Sequence, residues 1–237
     1  MLSRTFRPAM FGIGVALLVT PYGASEVKAQ SAWQFHLEEA TIGDVHRAIR
    51  AKQITAEQLV SLYFKRIEAY NGTCVKGDID SVTGLMLEDL TPIENAGQIN
   101  AYVTLNVRGQ RSKTDRADND PKMSDALEVA RAQDAYFART GEFVGPLHGI
   151  PFAIKDNYDT VDMRTTAGAA AAYANDKPPK DAAMVAKLRA AGAIILGKTN
   201  LDEYAPVPGG SSAGSGAAVA ANLAICALGH RHGRIGS

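Results

Sequence analysis

Residues 193–200 read Ala-Ile-Ile-Leu-Gly-Lys-Thr-Asn, and they follow at once on a helical stretch, Asp181 to Ala191, that Gly192 closes. A continuous apolar run straight after a helix predicts a strand buried on both faces, as in α/β proteins. A second short apolar run, Pro151-Phe152-Ala153-Ile154, finishes in the same way, on Lys155-Asp156-Asn157. Two strands that end on polar groups predict a site at the edge of a sheet, where open α/β sheets collect their ligands.

Upstream the pattern is mostly helical. Thr41-Ile42-Gly43-Asp44 and Thr55-Ala56-Glu57-Gln58 each place a capping Thr three residues before an acid or amide, the signature of a helix start. Leu59, Leu62, Tyr63, Ile67 and Tyr70 then recur at helical spacing among charged residues, which predicts an amphipathic helix. Residues 72–98 lose the periodicity and read as an inserted loop. Ile99 to Leu105 is strand-like. Arg108 to Lys122 is expected to be a charged, solvated segment, and Ser124 to Phe137 a helix with Leu127, Ala130 and Ala135 as packing residues.

The chain has 237 residues, 46% hydrophobic and 21% charged, enough for one sizeable core or two small ones. Its net charge is zero and its pI near 7.0. Nothing in that balance attracts a polyanion, so no nucleic-acid partner is expected. Neither composition nor motif sets an oligomeric state.

The first residues differ from the rest. Met1 to Arg7 is short and basic, Ala9 to Val19 is apolar, and Val27-Lys28-Ala29 is a small-x-small pattern before Gln30. This order predicts a signal peptide over residues 1–29 and a mature domain over 30–237, periplasmic or extracellular. The apolar run is too short for an anchor, since spanning a bilayer takes about 20 apolar residues. No membrane association is expected once the signal is removed. A buried N-terminal helix fits the flanks less well. Export permits disulfides, and for Cys74 and Cys226 one bridge or two separate thiols both stay open. Asn71-Gly72-Thr73 matches a glycosylation acceptor, relevant only in a eukaryotic secretory pathway.

The densest chemical signal is Pro208-Gly209-Gly210-Ser211-Ser212-Ala213-Gly214-Ser215-Gly216. A flexible linker does not fit, because Ala217 to Leu228 reads as a strong apolar helix former directly behind it. A phosphate loop does not fit, because no Gly-Lys-Ser/Thr follows. What remains is a glycine turn that presents serine hydroxyls and backbone N–H groups at a helix start, suited to an oxyanion or to serine-based acyl transfer. No histidine before residue 230 sits beside a strand end with an acid to orient it. His148 reads as a turn residue, which leaves Lys155 as the better candidate base. A lysine must shed its proton to act so, and burial favours the neutral amine.

Three stretches, Gly145 to Asn157 (GPLHGIPFAIKDN), Ala182 to Ala205 (AAMVAKLRAAGAIILGKTNLDEYA) and Pro208 to Gly229 (PGGSSAGSGAAVAANLAICALG), resemble the successive blocks of the amidase signature family. Residues 54–71 and 99–105 are similar to that family's N-terminal region. The resemblance runs from about Phe35 to Gly229. It implies an α/β fold, a mixed sheet flanked by helices, of which only the N-terminal part is expected here. It also implies hydrolysis of a small-molecule or peptide amide by a Ser–cis-Ser–Lys triad, with no metal and no organic cofactor.

Carried over by position, Lys155 matches the general base and Ser211 the bridging serine, whose bond from Gly210 would be cis. Ser212 matches a supporting hydroxyl, with Gly209 and Gly210 shaping the turn. The family's nucleophile lies in a Thr-Asp-x-Gly-Gly-Ser stretch after the helix, whose amides also form its oxyanion hole. Here that stretch is His230-Arg231-His232-Gly233-Arg234-Ile235, and Ile235 stands at the nucleophile's place. One base inserted into GGC ACC GAC ACG GGC GGA TCG GG, which encodes Gly-Thr-Asp-Thr-Gly-Gly-Ser, yields Gly-His-Arg-His-Gly-Arg-Ile-Gly. That is the run from Gly229 to Gly236. The tail is therefore expected to be a frameshift product rather than a His-rich metal site, and the chain an inactive member. The connection Ala205-Pro206-Val207 between Tyr204 and Pro208 is also shorter than the resemblance implies. Two rival classes remain: a glutamine amidotransferase subunit that feeds ammonia to a partner, and a non-catalytic exported binding protein.

Overall fold

The computed structural model describes residues 33–72, 75–78, 91–94, 98–112, 114–168, 177–201 and 211–230. The chain divides into two units, Met1–Trp33 and Gln34–Ser237, and everything below concerns the second. The expected signal segment lies outside the described residues.

Both expected capping boxes form. Thr41 accepts from the Asp44 amide at 3.2 Å while Asp44 accepts from the Thr41 amide at 3.1 Å, opening α1 (Ile42–Arg50). Thr55 and Gln58 do the same for α2 (Ala56–Tyr70). Along α2 the buried stripe is Leu59, Val60, Tyr63 and Ile67, whereas Leu62 and Tyr70 are 41% and 45% exposed. Those two belong to the neighbouring row of the helix, so the apolar face is narrower than the spacing suggested.

The inserted stretch carries a small antiparallel pair, β1 (Val75–Lys76) with β2 (Thr91–Pro92). At the end of α2 the Asn71 side chain accepts from the amides of Ala101 and Tyr102 at 2.8 and 2.7 Å and donates to the Tyr102 carbonyl at 3.1 Å. Asn71 thus splices α2 to β3 (Tyr102–Leu105). Its amide is committed to backbone, which explains the residue without glycosylation.

The segment after β3 is largely exposed, as expected, but it encloses a buried ion pair. Arg111 and Asp118 are fully buried, with Arg111 Nη2 2.6 Å from Asp118 Oδ1 and Nε 2.8 Å from Oδ2. Arg111 also donates to Asn106 Oδ1 and to the carbonyls of Met123 and Ser124. Every N–H of the guanidinium has a partner, so its charge enters the interior without an orphaned donor. The charged segment thus holds a buried ionic staple within an otherwise largely exposed run.

Asp125 caps α3 (Ala126–Thr140), which buries Ala126, Ala130 and Gln133 and half-buries Leu127. Ala135 is exposed. It lies five residues beyond Ala130, about 140° round the helix, and faces away from the core.

The central sheet has the order β3-β5-β4-β6, built from β4 (Pro151–Lys155), β5 (Ile194–Thr199) and β6 (Cys226–Leu228) beside β3. β4 pairs in parallel with both β5 and β6, and β3 pairs antiparallel with β5. This is the mixed α/β sheet with flanking helices that the resemblance implied. Every residue of β4 and β5 is buried. α4 (Ala183–Ala190) joins them, and α5 (Ala213–Ala220) joins β5 to β6. The crossover helices bury the sheet, and that sets its continuous apolar strands.

The apolar stretch 217–228 is not one helix. α5 stops at Ala220, and Asn222 takes a left-handed φ of +56°. The Asn222 and Leu223 amides bond back to Val219 and Ala218 at 3.0 and 2.7 Å. That is a Schellman end, in which asparagine is the usual alternative to glycine. The chain leaves the helix there, and Cys226–Leu228 fills the edge beside β4.

Candidate active site

Lys155 is the last residue of β4 and lies opposite Thr199, the last residue of β5. Both sit at the carboxyl ends of parallel strands, where helix starts and turns gather. Ser211 stands two residues before α5. The Lys155 amine donates to Ser211 Oγ at 2.7 Å, and both residues are buried. The sheet and the helix start thus bring together the two residues singled out as base and bridge. An amine in contact with a hydroxyl in a dry site can, once neutral, take that hydroxyl's proton.

α5 is held over this point by close packing. A Cβ added at Gly214 would lie 2.5 Å from the Asn200 nitrogen, and the Gly214 amide bonds the Asn200 carbonyl at 3.2 Å. At the next residue, Ser215 Oγ meets Thr199 Oγ1 at 2.6 Å and donates to the Leu228 carbonyl at 3.0 Å. Hydroxyls therefore stitch α5 to β5 and β6 directly below Ser211.

Ser212 is adjacent but engaged elsewhere. Its hydroxyl accepts from the His230 amide and donates to the His230 carbonyl, each at 3.0 Å. The His230 ring stacks on Tyr158 with centroids 4.7 Å apart, and its Nδ1 lies 3.3 Å from Asn157 Nδ2. Tyr158 is placed by a turn in which its amide bonds the Lys155 carbonyl at 3.0 Å. Partial burial pushes the Tyr158 phenol above its ordinary value.

A second buried lysine backs the site. Lys198 and Asp156 are fully buried, with Nζ 3.0 Å from Oδ1. Lys198 also donates to Thr165 Oγ1 at 2.8 Å and to the Arg164 carbonyl at 3.3 Å. Asp156 accepts from the amide and hydroxyl of Thr166. Burial pushes the Lys198 amine below its ordinary value, and the Asp156 charge pulls the other way. This pair fixes the residue that follows Lys155. The polar strand ends hinted at it, but nothing in the sequence matched Asp156 to Lys198 rather than to Lys155.

Gly209, Gly210, the Gly210–Ser211 bond, the Tyr204–Pro208 connection and Ile235 lie outside the described residues. So does Cys74, while Cys226 is half-buried and its thiol is raised by burial. His148 lies in a turn, as expected, and is wholly buried.

Comparison with known proteins gives the same family. The Amidase family model matches residues 113–207. The glutamyl-tRNA(Gln) amidotransferase of Alkaliphilus metalliredigens has an A subunit that is 35% identical over 213 residues, covering 81% of this chain and 35% of that protein. The native peptide amidase of Stenotrophomonas maltophilia superposes with a TM-score of 0.55 at 29% identity, covering 80% of this chain and 35% of that one. The peptide amidase PAM in complex with the competitive inhibitor chymostatin gives a TM-score of 0.57 at 29% identity, covering 82% of this chain and 37% of that one. This chain belongs to the amidase signature family and covers only part of it. It spans about a third of the length of the first of these relatives.

Proposed function

We propose that this chain carries the proton-relay part of a serine amidase site, of the kind that hydrolyses a carboxamide or peptide-end amide. The observation that carries the reading is the buried contact of Lys155 Nζ with Ser211 Oγ at 2.7 Å. In the proposed reaction a serine oxygen attacks the amide carbon and passes its proton to Ser211, which hands one on to Lys155. The protonated relay then returns a proton to the departing amine, and water releases the acyl group. No step calls on a metal or organic cofactor.

In the chain as it stands, Ile235 aligns with the nucleophile, and isoleucine has no oxygen to attack with. The proposal is therefore that this chain does not turn amides over. A fluorophosphonate probe tests it: no covalent adduct on any serine is the expected result, and an adduct on a serine accompanied by amide turnover would overturn the inactive reading. Sequencing the gene across codon 230 tests the frameshift behind it, which predicts Thr-Asp-Thr-Gly-Gly-Ser in the neighbouring frame. We also place the protein outside the cytoplasm, with the mature chain starting near Gln30. Recovery of intact Met1 from the cytoplasm would refute that.

The identity to a glutamyl-tRNA(Gln) amidotransferase favours a second reading, in which the chain supplies ammonia to a partner. Co-purification of a tagged chain from its native cell with the other polypeptides of an amidotransferase supports that reading. Recovery from the culture medium or periplasm, free of such partners, supports the first.

A further inference from the structure

Two half-buried side chains that the proton relay does not use follow closely on Lys155, namely Asn157 and Tyr158. The Tyr158 amide bonds the Lys155 carbonyl at 3.0 Å, so its ring leaves the same turn as the base. A second ring already lies on it. His230 stacks there with centroids 4.7 Å apart and planes 21° from parallel. Ser212, next to Ser211, holds the His230 backbone by accepting from its amide and donating to its carbonyl, each at 3.0 Å. His230 is itself exposed, so its ring covers the Tyr158 face without joining the core. A threonine at position 230, as the frameshift reading restores, has no ring to lay there.

Asn157 gives a second, independent observation. Its Nδ2 lies 3.3 Å from His230 Nδ1 and, having only hydrogens to offer, donates to it. Its Oδ1 is buried and has no hydrogen-bond partner among the described residues. A buried acceptor left so is costly, and an imidazole that turns its own acceptor to Nδ2 cannot fill it. An amide presents an acceptor and a donor side by side and can meet both atoms of Asn157 at once. A flat ring joined to that amide can meet Tyr158 as the imidazole does.

We infer that Asn157 and Tyr158 form a subsite for an amide joined to an aromatic ring, and that His230 occupies it as a tethered stand-in. The subsite rests on the proposed amidase reading and gives it a substrate class, the aromatic carboxamides. Benzamide is the probe, followed through the backbone amide shifts of Tyr158 and Ser212 in an NMR titration of the full chain. His230→Ala removes the ring and keeps the backbone bonds to Ser212. This variant is expected to bind benzamide saturably and about tenfold more tightly than the wild type, whose tethered ring competes at high effective concentration. Cyclohexanecarboxamide, which lacks the flat ring, and methyl benzoate, which lacks the N–H, should each bind the variant about fivefold more weakly than benzamide. Adding Tyr158→Leu should weaken benzamide by a similar factor, and adding Tyr158→Phe should leave it unchanged. Equal benzamide affinity in the wild type and His230→Ala would overturn the inference. So would a variant that binds all three probes alike, or none of them. Binding needs no nucleophile, so such a failure leaves the Lys155–Ser211 relay standing, to be judged by turnover in a chain whose nucleophile stretch is restored.

Discussion

The Lys155 amine and the Ser211 hydroxyl, 56 residues apart in sequence, meet at 2.7 Å inside the protein. Their meeting depends on two backbone placements. β4 delivers Lys155 at its carboxyl end, and the tight seat of α5 on Asn200 delivers Ser211 above it.

If Lys155 serves chemistry rather than stability, Lys155→Met should separate the two. Replacing a buried amine by an apolar group of similar length is expected to leave stability within about 1 kcal/mol of the original or raise it. In a chain whose residues 230–235 are replaced by Thr-Asp-Thr-Gly-Gly-Ser, the same change should cut amide turnover about a thousandfold. Urea unfolding and an ammonia-release assay read the two arms. A large loss of stability would make Lys155 a structural residue.

Gly214 tests the seat of α5. Gly214→Ala puts a Cβ 2.5 Å from the Asn200 backbone nitrogen, which cannot move without disturbing the end of β5. The expected cost is about 1–3 kcal/mol of stability, with the Lys155 and Ser211 signals shifted in an NMR spectrum. Gly216, with nothing within 4 Å of its added Cβ, is the control. Gly216→Ala should be neutral or slightly stabilising.

Asp118 should govern acid stability. The Arg111 guanidinium bonded to it holds its carboxyl below the ordinary range. A depressed carboxyl in the folded state contributes stability that is complete above the unfolded value of about 3.9. That contribution is lost as the pH falls through the folded value. Asp118→Asn should remove this acid-side slope and, by stranding buried Arg111, cost about 3–5 kcal/mol near neutrality. Urea midpoints measured from neutral pH downward check both.

A second pH response belongs to histidines. His46 and His148 flank the Phe143 ring, each centroid 4.6 Å from it, and burial holds both imidazoles below their ordinary value. The unfolded chain therefore binds more protons than the folded one just below its own midpoint of about 6.5. Stability should be full above that pH, decline as the pH falls from it, and level off below the folded values. His148→Gln is expected to shallow the decline between about pH 7 and 5, followed by urea unfolding at each pH.

Much of this protein was legible in the sequence because the signals concerned were local. A capping threonine and its partner lie three residues apart, as at Thr41 and Thr55. An apolar run behind a helix that Gly192 closes reads as a buried strand wherever it occurs. Lys155 and Ser211 could each be named from their own neighbourhoods and from the resemblance that surrounds them. What the tertiary structure decided were matters of partnership and termination. Arg111 and Asp118 looked as solvated as their exposed neighbours because sequence records charge but not whether five donors will find acceptors. Residues 217–228 looked like one helix because alanine favours helix. The vacant edge beside β4, and the left-handed Asn222 that turns the chain towards it, made the last three a strand. Two lysines at two strand ends looked alike, and only the sheet gave Ser211 to Lys155 and Asp156 to Lys198. Local propensity acts over a few residues, whereas those pairings depend on which chain ends the packed sheet brings into contact.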